Sequence, residues 1–90
     1  MIARKYLIKG IVQGVGFRYF VLRSAGTHQV KGYTKNLSDG RVEVFAQGSE
    51  KAMSEFSQDI AAGPSGSRVD NIEEIVLDLD PAYSNFRIES

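Results

Sequence analysis

The order of hydrophobic and polar positions along the chain predicts five β-strands and two α-helices. Alternation with a period of two marks a strand, and apolar residues three or four positions apart mark a helix. The predicted strands are 4–11, 30–36, 41–47, 69–79 and 86–88, and the predicted helices are 17–28 and 50–62. The resulting order is β-α-β-β-α-β with a short extra C-terminal strand.

Each predicted helix presents one apolar stripe that can face a core. The stripes are Phe17, Phe20, Val21 and Ala25 in the first helix and Met53, Phe56 and Ile60 in the second. Ser49 is a good N-cap for the second helix, and Gly63 followed by Pro64 ends it. For this order of elements, the economical packing is one sheet with both helices on a single face. The pattern therefore predicts an α+β two-layer sandwich.

Composition limits the class of protein. Ninety residues, 42% of them hydrophobic, are enough for one small folded domain, here residues 1–90. The absence of cysteine excludes disulfides, thiolate metal sites and thiol nucleophiles, and a single histidine argues against a transition-metal site. No apolar stretch approaches the roughly 20 residues that cross a bilayer, and the N-terminus lacks a signal-peptide layout. We expect a cytosolic monomer without cofactor, metal or membrane association.

The net charge is zero, but the two halves of the chain have opposite signs. Residues 1–49 contain eight basic and two acidic residues, whereas residues 50–90 contain three basic and nine acidic residues. Charged side chains that only face solvent explain this distribution as well as an electrostatic field that attracts a ligand does. If the distribution is functional, the first half presents a positive field to an anion. The most glycine-rich segment of the chain lies in that half.

Three glycines, Gly10, Gly14 and Gly16, fall within seven positions at the junction of the first strand and the first helix. Such a loop can direct several backbone N–H groups into one concavity, and the following helix N-terminus adds partial positive charge. Arg18, in the first helical turn, can place its guanidinium over the same concavity and bind phosphate oxygens. The segment predicts a phosphate cradle, although a tight strand-to-helix connection without a ligand also fits the spacing.

Two nucleotide-binding motifs do not fit this segment. The P-loop requires a second glycine five positions after the first, but Val15 occupies that position, and Phe17 rather than lysine follows Gly16. The dinucleotide-binding fingerprint fits Gly14 and Gly16 but has Tyr19 in place of its third glycine. No nucleotide is therefore implied.

A second candidate residue, Asn36, lies at the end of a predicted strand, just before the turn at 37–40. Asparagine at such a position is typically a turn former that bonds to its own backbone. Taken alone, Asn36 does not indicate catalysis.

Together, the two segments resemble the signatures of the acylphosphatase family. The first signature, G-x-V-Q-G-V-x-F-R, matches residues 10–18 without a departure. The second signature combines spaced glycines and a valine with an aromatic residue, a basic residue and an asparagine. Its matching positions are Gly32, Tyr33, Lys35, Asn36, Gly40, Val42 and Gly48. Residues 63–69 also resemble the Gly-Pro segment of the family, so the likeness covers essentially the whole chain.

The resemblance implies a ferredoxin-like sandwich, in which an antiparallel sheet packs on two helices. It also implies a free-standing enzyme that hydrolyses the carboxyl–phosphate bond of small acyl phosphates without a metal or a nucleic acid partner. In this family pattern, Arg18 would bind the phosphate and Asn36 would orient the attacking water. Backbone N–H groups of the loop would hold the phosphoryl oxygens, at Gln13, Gly14, Val15, Gly16 and Phe17.

Two positions depart from the family pattern. Thr34 stands where the family usually has valine or alanine, and His28-Gln29 stands where it often has Leu-Gly at the end of the first helix. The second departure concerns the helix cap and not the chemistry. His28 itself is expected to be a helix-end residue near the negative end of the helix dipole.

Two other functions remain open at this point. An RNA-recognition motif shares the order of elements and stacks bases on aromatic residues of its sheet. Here the aromatic residues would be Tyr33 and Phe45, which are expected on the opposite face of the sheet from Val42 and Val44. Its signature matches residues 31–33 but fails at the next two positions, and the zero net charge also argues against it. The other function is a non-catalytic or carbamoyl-phosphate-handling domain, such as the one that begins a large hydrogenase-maturation protein. The chain lacks the zinc-finger cysteines that such a protein carries.

Overall fold

Seven elements make up the fold in the computed structural model, which describes residues 1–90. The strands are β1 (Ile2–Ile11), β2 (Lys31–Asn36), β3 (Val42–Gly48), β4 (Arg68–Leu77) and β5 (Phe86–Glu89), and the helices are α1 (Phe17–His28) and α2 (Glu50–Ala62). Every predicted element is present, and no boundary differs from its prediction by more than two residues. Neither helix is long and apolar enough to cross a membrane.

The five strands form one sheet in the order β4-β1-β3-β2-β5, with β4 at one edge. β1 pairs antiparallel with β3 and β4, and β2 pairs antiparallel with β3, which confirms the predicted ferredoxin-like arrangement. β5 is added parallel to β2, so the sheet as a whole is mixed. Because β1 and β2 both run antiparallel to β3, their C-terminal ends lie at the same end of the sheet. The glycine loop and Asn36 are therefore brought to the same end.

The core lies between both helices and one face of the sheet, as predicted. The two central strands contribute alternate residues to it, namely Tyr6, Ile8, Val42, Val44 and Ala46. The helices contribute Phe17, Val21, Ala25, Met53, Phe56 and Ile60, each at most 2% exposed. Phe20 is only partly buried against this cluster. Burial of apolar surface stabilises the fold by roughly 25 cal/mol per Å². This cluster therefore holds α1, and with it the glycine loop, against the sheet.

The other face of the sheet is partly covered by the segment between β4 and β5. Tyr83 packs on Phe45 with ring centroids 5.4 Å apart and on Tyr33 with centroids 5.7 Å apart. Gln47 fixes this segment, because its Nε2 donates to the Asp80 carbonyl oxygen and its Oε1 accepts the Asp80 N–H, both at 2.8 Å. Phe45 is only 5% exposed. Tyr33 and Phe45 therefore do not form the open stacking platform that an RNA-recognition motif uses.

The two helices end in different ways. α2 has its predicted boundaries: the Ser49 hydroxyl accepts a backbone N–H of the first turn, and Gly63 follows the last turn with φ +67°. α1 is followed by Gln29 as its C-cap residue, which adopts the left-handed conformation with φ 58° and ψ 42°. The Val30 N–H then donates to the Ala25 carbonyl oxygen at 2.9 Å. Gln29 is the one residue other than glycine with a positive φ, so it is a point of local strain.

We expect Gln29→Gly to raise the free energy of unfolding by about 1 kcal/mol. A left-handed backbone costs a residue with a Cβ roughly 1–2 kcal/mol, and the greater freedom of glycine in the unfolded chain offsets part of the gain. Urea unfolding measures the difference. Gln58→Gly, at an exposed position inside α2, is the matched control and should destabilise by roughly 1 kcal/mol. A Gln29→Gly protein no more stable than the parent would contradict the strain argument.

The single histidine joins the two helices. His28 is the last residue of α1, as predicted, and its Nε2 lies 2.9 Å from Asp59 Oδ2. The Ser24 hydroxyl donates to the same carboxylate oxygen at 2.8 Å. The hydrogen bonds from His28 and Ser24 lower the pKa of Asp59 below its usual value. This contact links α1 to α2 at the end of α1 opposite to the glycine loop.

We expect Asp59→Asn to lower the free energy of unfolding near pH 7 by roughly 0.2–1 kcal/mol, because the Asp59 carboxylate that accepts hydrogen bonds from His28 and Ser24 is partly exposed to solvent. The pKa of Asp59 is lower in the folded than in the unfolded state, so its carboxylate stabilises the fold above about pH 4. That contribution is lost as the pH falls through the folded-state pKa. The variant and the parent should therefore approach equal stability in acid. Urea titrations from neutral to acidic pH test this, and a difference that does not vary with pH would contradict an ionic origin.

Candidate functional site

The glycine-rich segment contains two kinds of glycine. Gly14 and Gly16 both have φ +75°, and a Cβ on either would meet no other atom. These positions need glycine for the backbone conformation that curls the loop between β1 and α1. Gly10 has φ +144°, and a Cβ there would collide with the Arg68 carbonyl oxygen, where β1 and β4 pair irregularly. The glycines therefore shape both the loop and the strand pairing that anchors it.

The loop leads directly into the N-terminus of α1. Gly16 is the N-cap residue, so no side chain caps the helix, and the first turn contains no acidic residue. The first N–H groups of a helix have no partner within the helix and carry partial positive charge. Because no side chain satisfies them here, they are available to an external anion.

One small cavity lies between the loop, the first turn of α1 and the end of β2. Its volume is about 110 Å³. Its lining residues are Val12, Gly14, Gly16, Phe17, Arg18, Tyr19 and Asn36. A water molecule takes up roughly 30 Å³ of liquid, so the cavity has room for a group of phosphate size. Any larger substituent must extend from it into solvent. The structure thus brings Arg18, Asn36 and three of the five predicted loop positions together.

The other two predicted loop positions, Gln13 and Val15, do not line the cavity. Val15 packs its side chain against the core. Gln13 directs its side chain to the turn between β2 and β3, where Nε2 donates to the carbonyl oxygens of Leu37 and Arg41, both at 2.9 Å. These bonds join residues 24 and 28 positions apart, and nothing in the sequence pattern indicates them.

Arg18 is the cation of this cavity. It is partly buried and forms no ion pair, whereas Arg41, Arg68 and Arg87 each pair with a carboxylate two positions away. No carboxylate lines the cavity, and all of its residues come from the basic half of the chain. The cavity therefore combines an unpaired guanidinium with helix N–H groups, a set of donors that suits phosphate.

Asn36 supplies the one side-chain amide of the cavity. Its Oδ1 is buried and accepts no hydrogen bond from the protein. A turn-forming asparagine would accept a nearby backbone N–H, so Oδ1 does not play that role. An unpaired buried acceptor costs about 1–3 kcal/mol, which is unusual unless a ligand or water completes it. The other such atom is Oγ1 of Thr34, on the same face of β2, but Thr34 does not line the cavity.

A larger groove of about 630 Å³ lies elsewhere and shares no lining residue with the small cavity. Charges of both signs line it, and both of its arginines are already paired: Arg41 with Asp39 at 2.8 Å and Arg68 with Asp70 at 2.9 Å. This balance does not favour an anion. No group of three or more His, Cys, Asp or Glu side chains is placed to hold a metal ion. The small cavity is therefore the candidate site for an anionic ligand.

Comparisons with known proteins cover the chain from end to end. The family model described as Acylphosphatase matches residues 4–88. An acylphosphatase of Chlorobaculum tepidum is 45% identical over 82 residues, which are 91% of this chain and 89% of the relative. The crystal structure of acylphosphatase from Bacillus subtilis matches with a TM-score of 0.96 and 36% identity over 100% of both chains. Full-length HypF in the phosphate- and nucleotide-bound form matches 99% of this chain, with a TM-score of 0.92 and 37% identity, over only 12% of HypF.

Proposed function

The chain belongs to the acylphosphatase family and hydrolyses acyl phosphates, and from this premise we propose that the reaction takes place in the cavity between the glycine loop and Asn36. One observation carries the proposal. An unpaired arginine, an uncapped helix N-terminus and an unpartnered amide oxygen meet in a single cavity of phosphate size. The first two features suit a phosphoryl group, and the third suits a water molecule.

The substrate chemistry suits such a simple set of groups. The leaving group of an acyl phosphate is a carboxylate, which departs without being protonated. The transition state of phosphoryl transfer is loose and carries its charge on the phosphoryl oxygens, so positioning and electrostatics supply most of the catalysis. A site that offers N–H donors, one guanidinium and a water-orienting amide meets these requirements.

We assign the phosphoryl group to the donors of the loop and of α1. Backbone N–H groups of Gly14, Gly16 and Phe17, the predicted loop residues that line the cavity, surround its oxygens, and the helix N-terminus adds partial positive charge. Arg18, in the first turn of α1, places two parallel N–H groups on the same oxygens. Because Arg18 has no carboxylate partner, it does not have to leave an ion pair to bind substrate.

We assign the attacking water to Asn36. The unpartnered Oδ1 accepts a hydrogen bond from this water and turns its lone pair toward phosphorus. An amide cannot accept a proton near neutral pH, so Asn36 orients the water without acting as a base. The proton passes to a phosphoryl oxygen of the substrate. A rate that rises in alkali with the titration of a protein group would contradict this step.

The positive charge that the transition state needs comes from the protein itself in this proposal, so no metal is required. The cavity holds only the phosphoryl group, and the acyl group extends past Tyr19, which is 68% exposed. We therefore propose that the enzyme accepts acyl groups of different size. The monomeric state and the cytosolic location stay predictions from the sequence.

The test is hydrolysis of an aromatic acyl phosphate by the purified chain in excess chelator and in water enriched in oxygen-18. Attack on phosphorus places the heavy oxygen in inorganic phosphate, whereas attack on the carbonyl carbon places it in the carboxylate. We expect undiminished hydrolysis with the label in phosphate. Label in the carboxylate would overturn the role assigned to Asn36, and loss of activity in chelator that added metal restores would overturn metal independence.

A further inference from the structure

We propose that Gln13 is a positioning residue, whose side chain sets the place of Asn36 relative to the phosphate-binding loop. This inference rests on the proposed function, because it concerns how two parts of the proposed site are held together. Gln13 does not line the cavity. Its side-chain amide donates to the carbonyl oxygens of Leu37 and Arg41, which do not line the cavity either. Its effect on the reaction would therefore be indirect.

The two parts of the proposed site belong to strands that do not pair with each other. The loop and Arg18 follow β1, whereas Asn36 ends β2, and β3 lies between these strands. At the end of the sheet, side-chain hydrogen bonds between the loop and the turn after β2 come from Gln13 alone. Both hydrogens of its Nε2 are used, one on each side of the turn.

The turn transmits this restraint to Asn36. Leu37 follows Asn36 directly, and its N–H donates to the Arg41 carbonyl oxygen at 2.8 Å. Gln13 binds the carbonyl oxygens of these same two residues, so it holds the turn as a closed unit. A displacement of the turn moves Leu37 and, through the peptide bond, the end of β2. Gln13 thus determines how far Asn36 lies from the phosphoryl group.

Loss of this link should affect turnover and leave binding intact. The loop N–H groups and Arg18 stay on their own elements, so the phosphoryl group is still held when the turn shifts. The water at Asn36, however, loses its alignment with phosphorus. A misplacement of about 1 Å can cost on the order of 10²-fold in rate. Asn36 itself keeps its pairing with Val42 of β3, so we expect a smaller loss.

The test variant is Gln13→Met, which keeps the length of the side chain and removes both donors. We expect kcat to fall on the order of tenfold, while KM and the Kd of inorganic phosphate change less than about threefold. In the Asn36→Ala background, Gln13→Met should have almost no further effect on kcat, because the residue it positions is gone. Gln13→Asn, whose amide is too short to reach the turn, should behave like Gln13→Met.

Gln47→Met is the matched control. Gln47 also uses its side-chain amide to hold a loop backbone, at Asp80, but on the other face of the sheet and away from the cavity. We expect this variant to lose stability and to keep the kcat of the parent. Circular dichroism checks that each variant is folded.

The outcomes separate this inference from the proposed function. Parental kcat in Gln13→Met and Gln13→Asn, with activity lost in the Arg18 and Asn36 variants, would overturn the positioning role alone. If Gln13→Met lowers kcat by the same factor in the parent and in the Asn36→Ala background, the positioning role is also overturned, because Gln13 would then act independently of Asn36. Full activity in the Arg18→Ala and Asn36→Ala proteins would overturn the proposed site, and this inference with it.

Discussion

Replacing Arg18 with alanine should lower kcat/KM for an acyl phosphate by at least ~10²–10³-fold, the cost of removing a donor that stabilises charge in a transition state. Arg18 is the one charged side chain that lines the cavity. Its loss removes the paired N–H groups from the phosphoryl oxygens, and solvent cannot replace them with the same geometry. Substrate binding should weaken as well, because the ground-state phosphate carries charge on the same oxygens.

Two further variants sharpen this measurement. Arg18→Lys keeps the charge but not the planar fork, so its activity should lie between those of the parent and of Arg18→Ala. Arg23→Ala is the matched control, since Arg23 lies on the same helix, is exposed and does not line the cavity. Steady-state kinetics and inhibition by inorganic phosphate measure both effects. Near-normal activity in folded Arg18→Ala would remove Arg18 from the site.

Replacing Asn36 with alanine should lower kcat by on the order of 10²-fold and leave KM within a few fold. The water that Asn36 orients matters mainly in the transition state, so its loss affects turnover more than binding. Stability should change in the other direction. Removing a buried, unpartnered acceptor relieves a cost of about 1–3 kcal/mol, so the variant should be as stable as the parent or more stable. Kinetics and urea unfolding on the same preparation measure both quantities.

Thr34→Val is the control for Asn36. Thr34 carries the other unpartnered buried side-chain oxygen and lies on the same face of β2, but it is fully buried and away from the cavity. Its replacement should raise stability in the same way and leave kcat unchanged. A weaker affinity for phosphate in Asn36→Ala, with kcat unchanged, would reverse the proposed roles of Asn36 and Arg18.

The sequence predicted the elements of this fold closely because their signals are local. Periodicity marks the strands and helices, and Ser49 and Gly63 mark the ends of α2 through cap geometry that depends on a few neighbouring residues. The end of α1 was predicted at its observed residue, but the left-handed conformation of Gln29 after it was not, because glycine is the residue that usually adopts it. The parallel pairing of β5 with β2 was not predicted, because a strand of four residues contains no pattern that distinguishes parallel from antiparallel pairing.

The candidate site was predictable as a set of residues and not as an arrangement. The two signatures place Arg18 and Asn36 on separate elements, and only the strand order shows that they share one cavity. By pattern alone, Asn36 was better explained as a turn former, and its unpartnered Oδ1 becomes visible only in three dimensions. The bonds of Gln13 span more than twenty positions, so they depend on the folded sheet and not on local sequence.

The position of β4 at the edge of the sheet has a consequence for crowded solutions of this protein. An edge strand of ten residues offers unpaired backbone groups to a neighbouring molecule, which could extend the sheet and begin aggregation. Here Asp70, Glu73 and Glu74 are exposed along that strand, and a second copy pairing with it would bring like charges together. These three acidic side chains, which take no part in the proposed chemistry, therefore disfavour edge-to-edge pairing of β4 between two copies.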